Sequence, residues 1–185
     1  MILPWKKVSS KPAGDFRIFK IRSDTCVNPR TGKEHDFYVL DTVGWVNVVA
    51  VTPDQKLVMI RQYRHGSETV ELEIPGGMMD PHETDPVATA IRELREETGY
   101  AGEHARLLGK IWSNPAILSN RTYTVLIENC RLQHAVDFDG GEDLVTELVP
   151  VSEIPQLVAD EKIGHNLVVS ALYYFELWQR GIKKA

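Results

Sequence analysis

Residues 76–100 read GGMMDPHETDPVATAIRELREETGY, and the fold is decided by what this stretch becomes. Pro86 suits the first position of a helix, Asp85 stands before it as N-cap, and Gly99 follows as the stop. Within that helix Val87, Ile91 and Leu94 recur at helical spacing and are expected to face the core. Glu93, Glu96 and Glu97 fall within an arc of roughly 100° on another side. Like charges at this spacing oppose a helix by about 0.2–0.5 kcal/mol per pair, so a site that gathers them needs a cation. Oxygen donors of this kind suit Mg2+ or Mn2+. An acidic helix face is ordinarily just solvated, and Arg92, one turn before Glu96, offers it an ion pair.

The residues flanking the helix tip the balance toward the cation. Gly76-Gly77, then Glu83, then Arg92-Glu93-Leu94-Arg95-Glu96-Glu97-Thr98-Gly99-Tyr100 closely resembles the Nudix box of nucleoside-diphosphate hydrolases. The chain departs from that signature once: eight residues, where the signature has seven, separate Glu83 from Arg92. The extra residue falls near Thr84-Asp85, where a loop becomes a helix and insertion costs little. The resemblance implies that Glu93, Glu96 and Glu97 are metal ligands, joined by the Gly76 carbonyl. It also implies that Arg92 orients the glutamates through charge-assisted hydrogen bonds. Glycine at 76 and 77 lets backbone approach metal or phosphate, the plain alternative being a turn. A further carboxylate is expected from the acidic loop Asp139-Gly140-Gly141-Glu142-Asp143, with Glu142 as first choice and Glu147 in reserve. That loop resembles the one in ADP-ribose pyrophosphatases, whose glutamate completes the metal site or activates water.

Upstream, Arg61-Gln62-Tyr63-Arg64 and Glu71-Leu72-Glu73-Ile74-Pro75-Gly76-Gly77 resemble the ADP-ribose and nucleotide-sugar hydrolase branch, as does Pro115 beyond the box. The implied activity is Mg2+-dependent cleavage of the diphosphate of ADP-ribose, GDP-mannose or a similar nucleotide sugar. Arg64, Glu73, Gly77, Pro115 and Arg121 are the candidate substrate contacts. Guanidinium suits bidentate phosphate or ribose contacts, although Arg64 and Arg121 could equally form ion pairs. Glu73 could meet a ribose hydroxyl or pair with an arginine across a dimer. Trp5, Phe19 or Tyr38 could stack on the base, packing being the commoner duty of such aromatics. Competing readings are hydrolysis of a nucleoside triphosphate, coenzyme A or a dinucleoside polyphosphate, and a non-catalytic sensor of ADP-ribose-like ligands. The complete glutamate set argues against the sensor.

The remaining pattern is strand-rich. Phe16–Arg22 alternates apolar and basic residues, Asn28–Lys33 supplies a turn and Asp36–Leu40 is a second strand, together a hairpin leading unit over 1–40. Isolated hairpins are marginal in water, so this one must pack on something; the resemblance implies a homodimer that shares these strands. Residues 41–185 then form the main domain. Strands are expected at Trp45–Val51, Leu57–Arg61, Thr69–Ile74, Ala105–Trp112, Thr122–Asn129 and Leu144–Val149. A helix capped by Ser152 is expected through Ala159, and a last one carries the stripe Leu167, Ala171, Tyr174, Phe175 and Trp178. Mixed strands with few helices indicate an α+β fold, which the resemblance sharpens to the Nudix α/β/α sandwich with a mixed sheet.

With 185 residues the chain can bury one sizeable core. Its net charge of −5 argues against nucleic acid or anionic membrane as partner. No apolar run approaches about 18 residues, and MILPWKKVSS is too short in apolar residues for a signal peptide. Cys26 and Cys130 are expected to be reduced thiols of a cytoplasmic protein.

Overall fold

The computed structural model describes residues 1–138 and 140–183. They divide into two units, Met1–Gly44 with Trp112–Arg121, and Trp45–Ile111 with Thr122 onward.

The leading unit is a three-stranded antiparallel sheet, not a two-stranded hairpin. Strands β1 (Lys6–Asp15), β2 (Lys20–Val27) and β3 (Glu34–Asp41) pair in sequence order. β1 escapes a pattern-based reading because KKVSSKPAGD has no apolar alternation; its lysines and Pro12 are what an edge strand tolerates. Phe16–Ile18 forms the turn instead of a strand, and β2 starts at Lys20. The irregular segment after Trp112 docks on β3, where the Leu40 N–H donates to the Ile117 carbonyl and the Leu40 carbonyl accepts from the Ser119 N–H. Asp24 is the one buried residue among the described residues of this unit. Ser10 above all, then Arg22 and Lys7, hydrogen-bond its carboxylate and hold its pKa down at about 2 against the cost of burial.

The second unit stacks helices on both sides of β-structure. Strands β4 (Trp45–Ala50), β5 (Lys56–Arg64), β6 (Thr69–Glu73) and β7 (Gly76–Met78) precede helix α1 (Pro86–Thr98). Then follow β8 (Tyr100–Trp112), β9 (Arg121–Leu132), β10 (Leu144–Pro150), α2 (Ile154–Ala159) and α3 (Asn166–Gln179). One sheet has the order β7-β4-β9-β8, with β4 and β9 parallel and β4 and β7 antiparallel; the other, β10-β5-β6, is antiparallel. Alternation along β4 sends Val46, Val48 and Ala50 into the core under α1 with Ala90 and Leu94. Val49 joins the opposite core with Leu126, Ala171, Leu172 and Phe175, under α2 and α3. The mixed α+β sandwich expected from the sequence is therefore present. Val168, Ala171, Leu172 and Phe175 are the buried residues of α3, and Tyr174 and Trp178 pack half-buried against the same core, so of the expected stripe Leu167 alone falls outside it. Ser152 lies in a 3-10 turn, Val151–Glu153, and makes no capping bond to α2.

Helix α1 begins and ends where the sequence indicates. Asp85 Oδ1 accepts the Val87 N–H at 2.9 Å, and Gly99 adopts φ 73°, a left-handed stop that suits glycine. Its buried face differs from expectation. Ile91 is 47% exposed, while Thr89, Ala90, Glu93, Leu94, Glu97 and Thr98 turn inward. Two of the three glutamates thus share the core-facing side. Among the described residues no helix is long and apolar enough to cross a membrane.

Candidate active site

Glu93 and Glu97 lie one turn apart on α1 and are 7% and 2% exposed. Facing them is the glycine bend. β7 pairs with β4 so that Gly76 opposes Asn47, and the Gly76 N–H donates to Glu97 Oε2 at 3.0 Å. A Cβ on Gly77 would stand 2.5 Å from Glu93 Cδ, and one on Gly76 would collide with the Val46 carbonyl. Both positions need glycine because carboxylate and backbone occupy the space of a side chain.

Burial pushes the Glu93 carboxyl up to about 7; Arg92 pulls it back, and the charges of Glu96 and Glu142 add to the rise. Burial likewise pushes Glu97 up to about 8, opposed by the Gly76 N–H and reinforced by Glu93 and Glu142. Glu142, half-buried in its loop, therefore acts on the same place as the α1 pair. Its loop neighbour Asp139 lies outside the described residues. Glu147, the reserve candidate, is engaged elsewhere, accepting from Arg61 at 2.6 Å on the β5–β10 ladder.

Arg92 gathers the remaining acids. Its guanidinium reaches Glu83 at 3.3 Å, Glu93 at 2.9 Å and Glu96 at 2.9 Å. Glu83 arrives there despite the extra residue in its spacer, and its carboxylate also caps the Asp80 N–H at 2.8 Å. Asp85 caps α1, and Arg92, Glu93, Glu96 and Glu97 all lie on that helix. Among the described residues no three His, Cys, Asp or Glu side chains are placed to hold a metal ion as they stand. Arg92 accounts for part of this, since it draws Glu93 and Glu96 toward itself.

Glu73 is 2% exposed and takes both Arg64 Nε and Nη2, at 2.8 and 2.7 Å. Glu73 is thus paired with an arginine of its own chain. Arg64 is raised first by these bonds, with burial opposing, and further by the charges of Glu73, Glu97 and Glu142, which tie it electrostatically to the acidic cluster. Next to it a cavity of about 530 Å³ is lined by Trp45, Arg64, Glu71, His165 and Asn166 among others. No motif or spacing in the sequence singled out Trp45, Asn47 or His165. Pro115 and Arg121 belong to the leading unit, where the Arg121 guanidinium lies 3.4 Å over the Trp112 ring.

The NUDIX domain model matches residues 43–170, which takes in both glycines, α1 and the acidic loop. The chain belongs to the Nudix family. A methanol dehydrogenase activator of Bacillus methanolicus is 29% identical over 93% of this chain and 92% of its own length. The ADP-ribose pyrophosphatase of Bacillus subtilis (strain 168) is 28% identical over 79% of each. A crystal structure of an ADP compounds hydrolase superposes with a TM-score of 0.85 at 23% identity, covering 98% of this chain and 97% of that one. That likeness shows that the two chains share their fold. Membership places the chain among Nudix hydrolases, with nucleotide-sugar pyrophosphatases among its homologues.

Proposed function

We propose that this chain hydrolyses the diphosphate of nucleoside-diphosphate sugars, splitting ADP-ribose into AMP and ribose 5-phosphate, with Mg2+ as cofactor and Mn2+ as a substitute. GDP-mannose and similar nucleotide sugars belong to the same substrate class. The observation that carries this reading is the buried Glu93–Glu97 pair against the Gly76-Gly77 bend, with the charge of Glu142 acting on both. Two carboxylates, 7% and 2% exposed and pushed up to about 7 and 8, are costly to ionise alone; a divalent cation offsets that cost with the hard oxygen donors it prefers. The chemistry of these donors, hard carboxylate oxygens, fits the metal.

Glu93, Glu96, Glu97, Glu142 and the Gly76 carbonyl are the assigned metal donors. A bound cation supplies charge neutralisation of the diphosphate and a more acidic water. Arg92 holds Glu93 and Glu96 in place and releases them by a small swing of its long side chain. Arg64, fixed by Glu73, offers its Nη1 edge to a phosphate or ribose oxygen. The glycine at 77 admits the diphosphate close to the backbone. Glu142, or Glu96 from the helix, takes the proton of the water that attacks phosphorus while the bridging P–O bond breaks. Arg121 and Pro115 are assigned to the nucleoside side of the substrate. A sensor without turnover would not need this full carboxylate set.

The leading sheet is assigned to a homodimer. Phe16, Ile18, Phe37 and Tyr38 are all more than 40% exposed there, and a sheet with one buried residue cannot be stabilised by its own core. Cys26 and Cys130 are both free thiols, which fits a cytoplasmic setting.

Turnover of a panel of nucleotide sugars, dinucleotides and triphosphates with Mg2+, analysed for products in 18O-labelled water, tests the substrate class and the attacked phosphorus together. Glu97→Gln should keep the fold and lose at least about a hundredfold in kcat. Near-normal turnover in that variant would remove the metal assignment.

A further inference from the structure

The cavity beside Arg64 has a job that the acidic cluster does not explain. At about 530 Å³ it falls in the range of small-molecule sites. It is joined to the cluster through a short run of contacts. Glu97 accepts from Gly76, Gly76 abuts Asn47, and Asn47 takes the Trp45 indole N–H at 3.0 Å while giving its amide to the Leu167 carbonyl at 2.9 Å. Trp45 and Leu167 both line the cavity. Arg64, which lines the cavity, also feels the charges of Glu97 and Glu142, so the cavity and the acidic cluster are neighbours.

The lining suits a sugar better than a base. Trp45 offers one flat apolar surface, whereas an unstacked base gains most when aromatic groups cover its faces. Arg64 and Asn166 bring donors, Glu71 brings a carboxylate acceptor, and vicinal hydroxyls are donors and acceptors at once. Glu71 comes close to the segment leading into α3, where a Cβ on Gly164 would stand 3.8 Å from its Oε2.

His165 is the residue with an unfinished contact. Its Nδ1 is covered by protein, has no hydrogen-bond partner, and stands 3.6 Å from Glu73 Oε2. The side chain is 33% exposed and lines the cavity although its Nδ1 is covered, so other atoms of the side chain carry the exposure. A movement of a few tenths of an ångström lets Nδ1–H donate to Glu73, which fixes the tautomer and leaves Nε2 as an acceptor. His165 precedes α3 without a side-chain capping bond, so its position is not explained by helix capping.

We propose that this cavity is the sugar subsite of the hydrolase described above, and that His165, oriented by Glu73, selects the sugar by accepting a hydroxyl hydrogen bond at Nε2. Since that assignment rests on the hydrolase reading, the test separates the two. Binding of ribose 5-phosphate and of AMP to the Mg2+-loaded protein is measured by calorimetry for wild type, His165→Ala and His165→Asn. Ribose 5-phosphate should bind at least tenfold more weakly to His165→Ala, with partial recovery in His165→Asn, and AMP should bind all three alike. In turnover, KM for ADP-ribose should rise at least tenfold in His165→Ala with kcat within a few-fold, while an ADP methyl ester, which has no sugar arm, should be unaffected. Equal losses for sugar and methyl substrates, or unchanged ribose 5-phosphate binding, would overturn the subsite. Absence of nucleotide-sugar turnover in wild type alongside the His165-dependent ribose 5-phosphate binding would instead overturn the hydrolase and leave the subsite standing.

Discussion

Gly77 leaves no room for even a methyl group, because a Cβ there would come within 2.5 Å of the Glu93 carboxyl carbon and one of its oxygens. Glu93 would have to rotate away from the bend, and Arg92, already 2.9 Å from it, would follow. Gly77→Ala is therefore expected to weaken Mg2+ affinity about 10–100-fold, the usual effect of disturbing what orients a ligand. Calorimetric Mg2+ titration reads this directly; an unchanged affinity would remove Glu93 from the ligand set. Glu142→Gln makes a different demand. If its carboxylate accepts the proton from water, kcat should fall at least about a hundredfold while KM moves little, since proton transfer contributes about 10²–10⁴ in rate. Matching losses in kcat and 1/KM would make Glu142 a binding group. At this scale the α1 acids and the glycines were legible because a dense motif fixes them by spacing. Glu73 was legible only as a polar residue with two possible partners; on the β5–β6 ladder it stands opposite Ile60 while Arg64 stands opposite Thr69, so its bond to Arg64 is a side-chain contact that strand register does not give. His165 was not legible at all: a lone histidine ahead of a helix has no spacing to betray it.

Helix α1 combines a good local sequence with a costly face. Its ends were legible residue by residue, because Asp85, Pro86 and Gly99 act through local backbone geometry. Its inward face was not, because apolar spacing chose Ile91 where the fold chose Ala90, Glu93, Leu94 and Glu97, which also recur at helical spacing. Hydrophobicity cannot nominate a glutamate as a buried residue; only an expected cation partner can. The cost is measurable as a pH dependence of the metal-free protein. Glu93 and Glu97 have carboxyls at about 7 and 8 in the fold, above the ordinary 4.5, so between those values the folded chain holds more protons than the unfolded one. Their stabilising contribution is complete below 4.5 and is lost as pH rises through 7 and 8. Melting in chelator should therefore show Tm falling across that interval, and saturating Mg2+ should flatten the slope by taking the place of the protons. Glu97→Gln should remove part of the slope. A flat metal-free profile would show that the two acids ionise without penalty. Asp85→Ala tests the other end of the helix, with an expected loss of about 0.5–2 kcal/mol in denaturant unfolding.

For the whole molecule, the division of labour between the units follows from where burial lies. The second unit holds both apolar cores, whereas the described residues of the leading unit bury only Asp24. Near residue 40 of the sequence, alternating basic strands give way to continuous apolar ones, while the leading unit runs to Gly44. The sequence does not show that Trp112–Arg121 joins the leading unit, because that attachment rests on two backbone hydrogen bonds to Leu40 from a segment without pattern. A sheet held by the Asp24 network and exposing Phe16, Ile18, Phe37 and Tyr38 offers apolar surface for a partner, which the proposed dimer would cover with a second copy of the chain. Phe37 and Tyr38, adjacent on β3, project to opposite faces, so one charge at each tests both. Wild type is expected to sediment as a dimer and Phe37→Glu/Tyr38→Glu as a monomer with Tm lowered. A symmetric interface doubles each substitution, so a few kcal/mol per protomer becomes a shift of many decades in dimer affinity. The paired measurement is activity at concentrations well above and below the dissociation constant of the variant. Loss of KM on dissociation, with kcat retained on re-association at high concentration, would show that the leading sheet serves the site through the second copy. A wild-type protein that sediments as a monomer with full turnover would leave the exposed aromatics without a partner and end the dimer assignment.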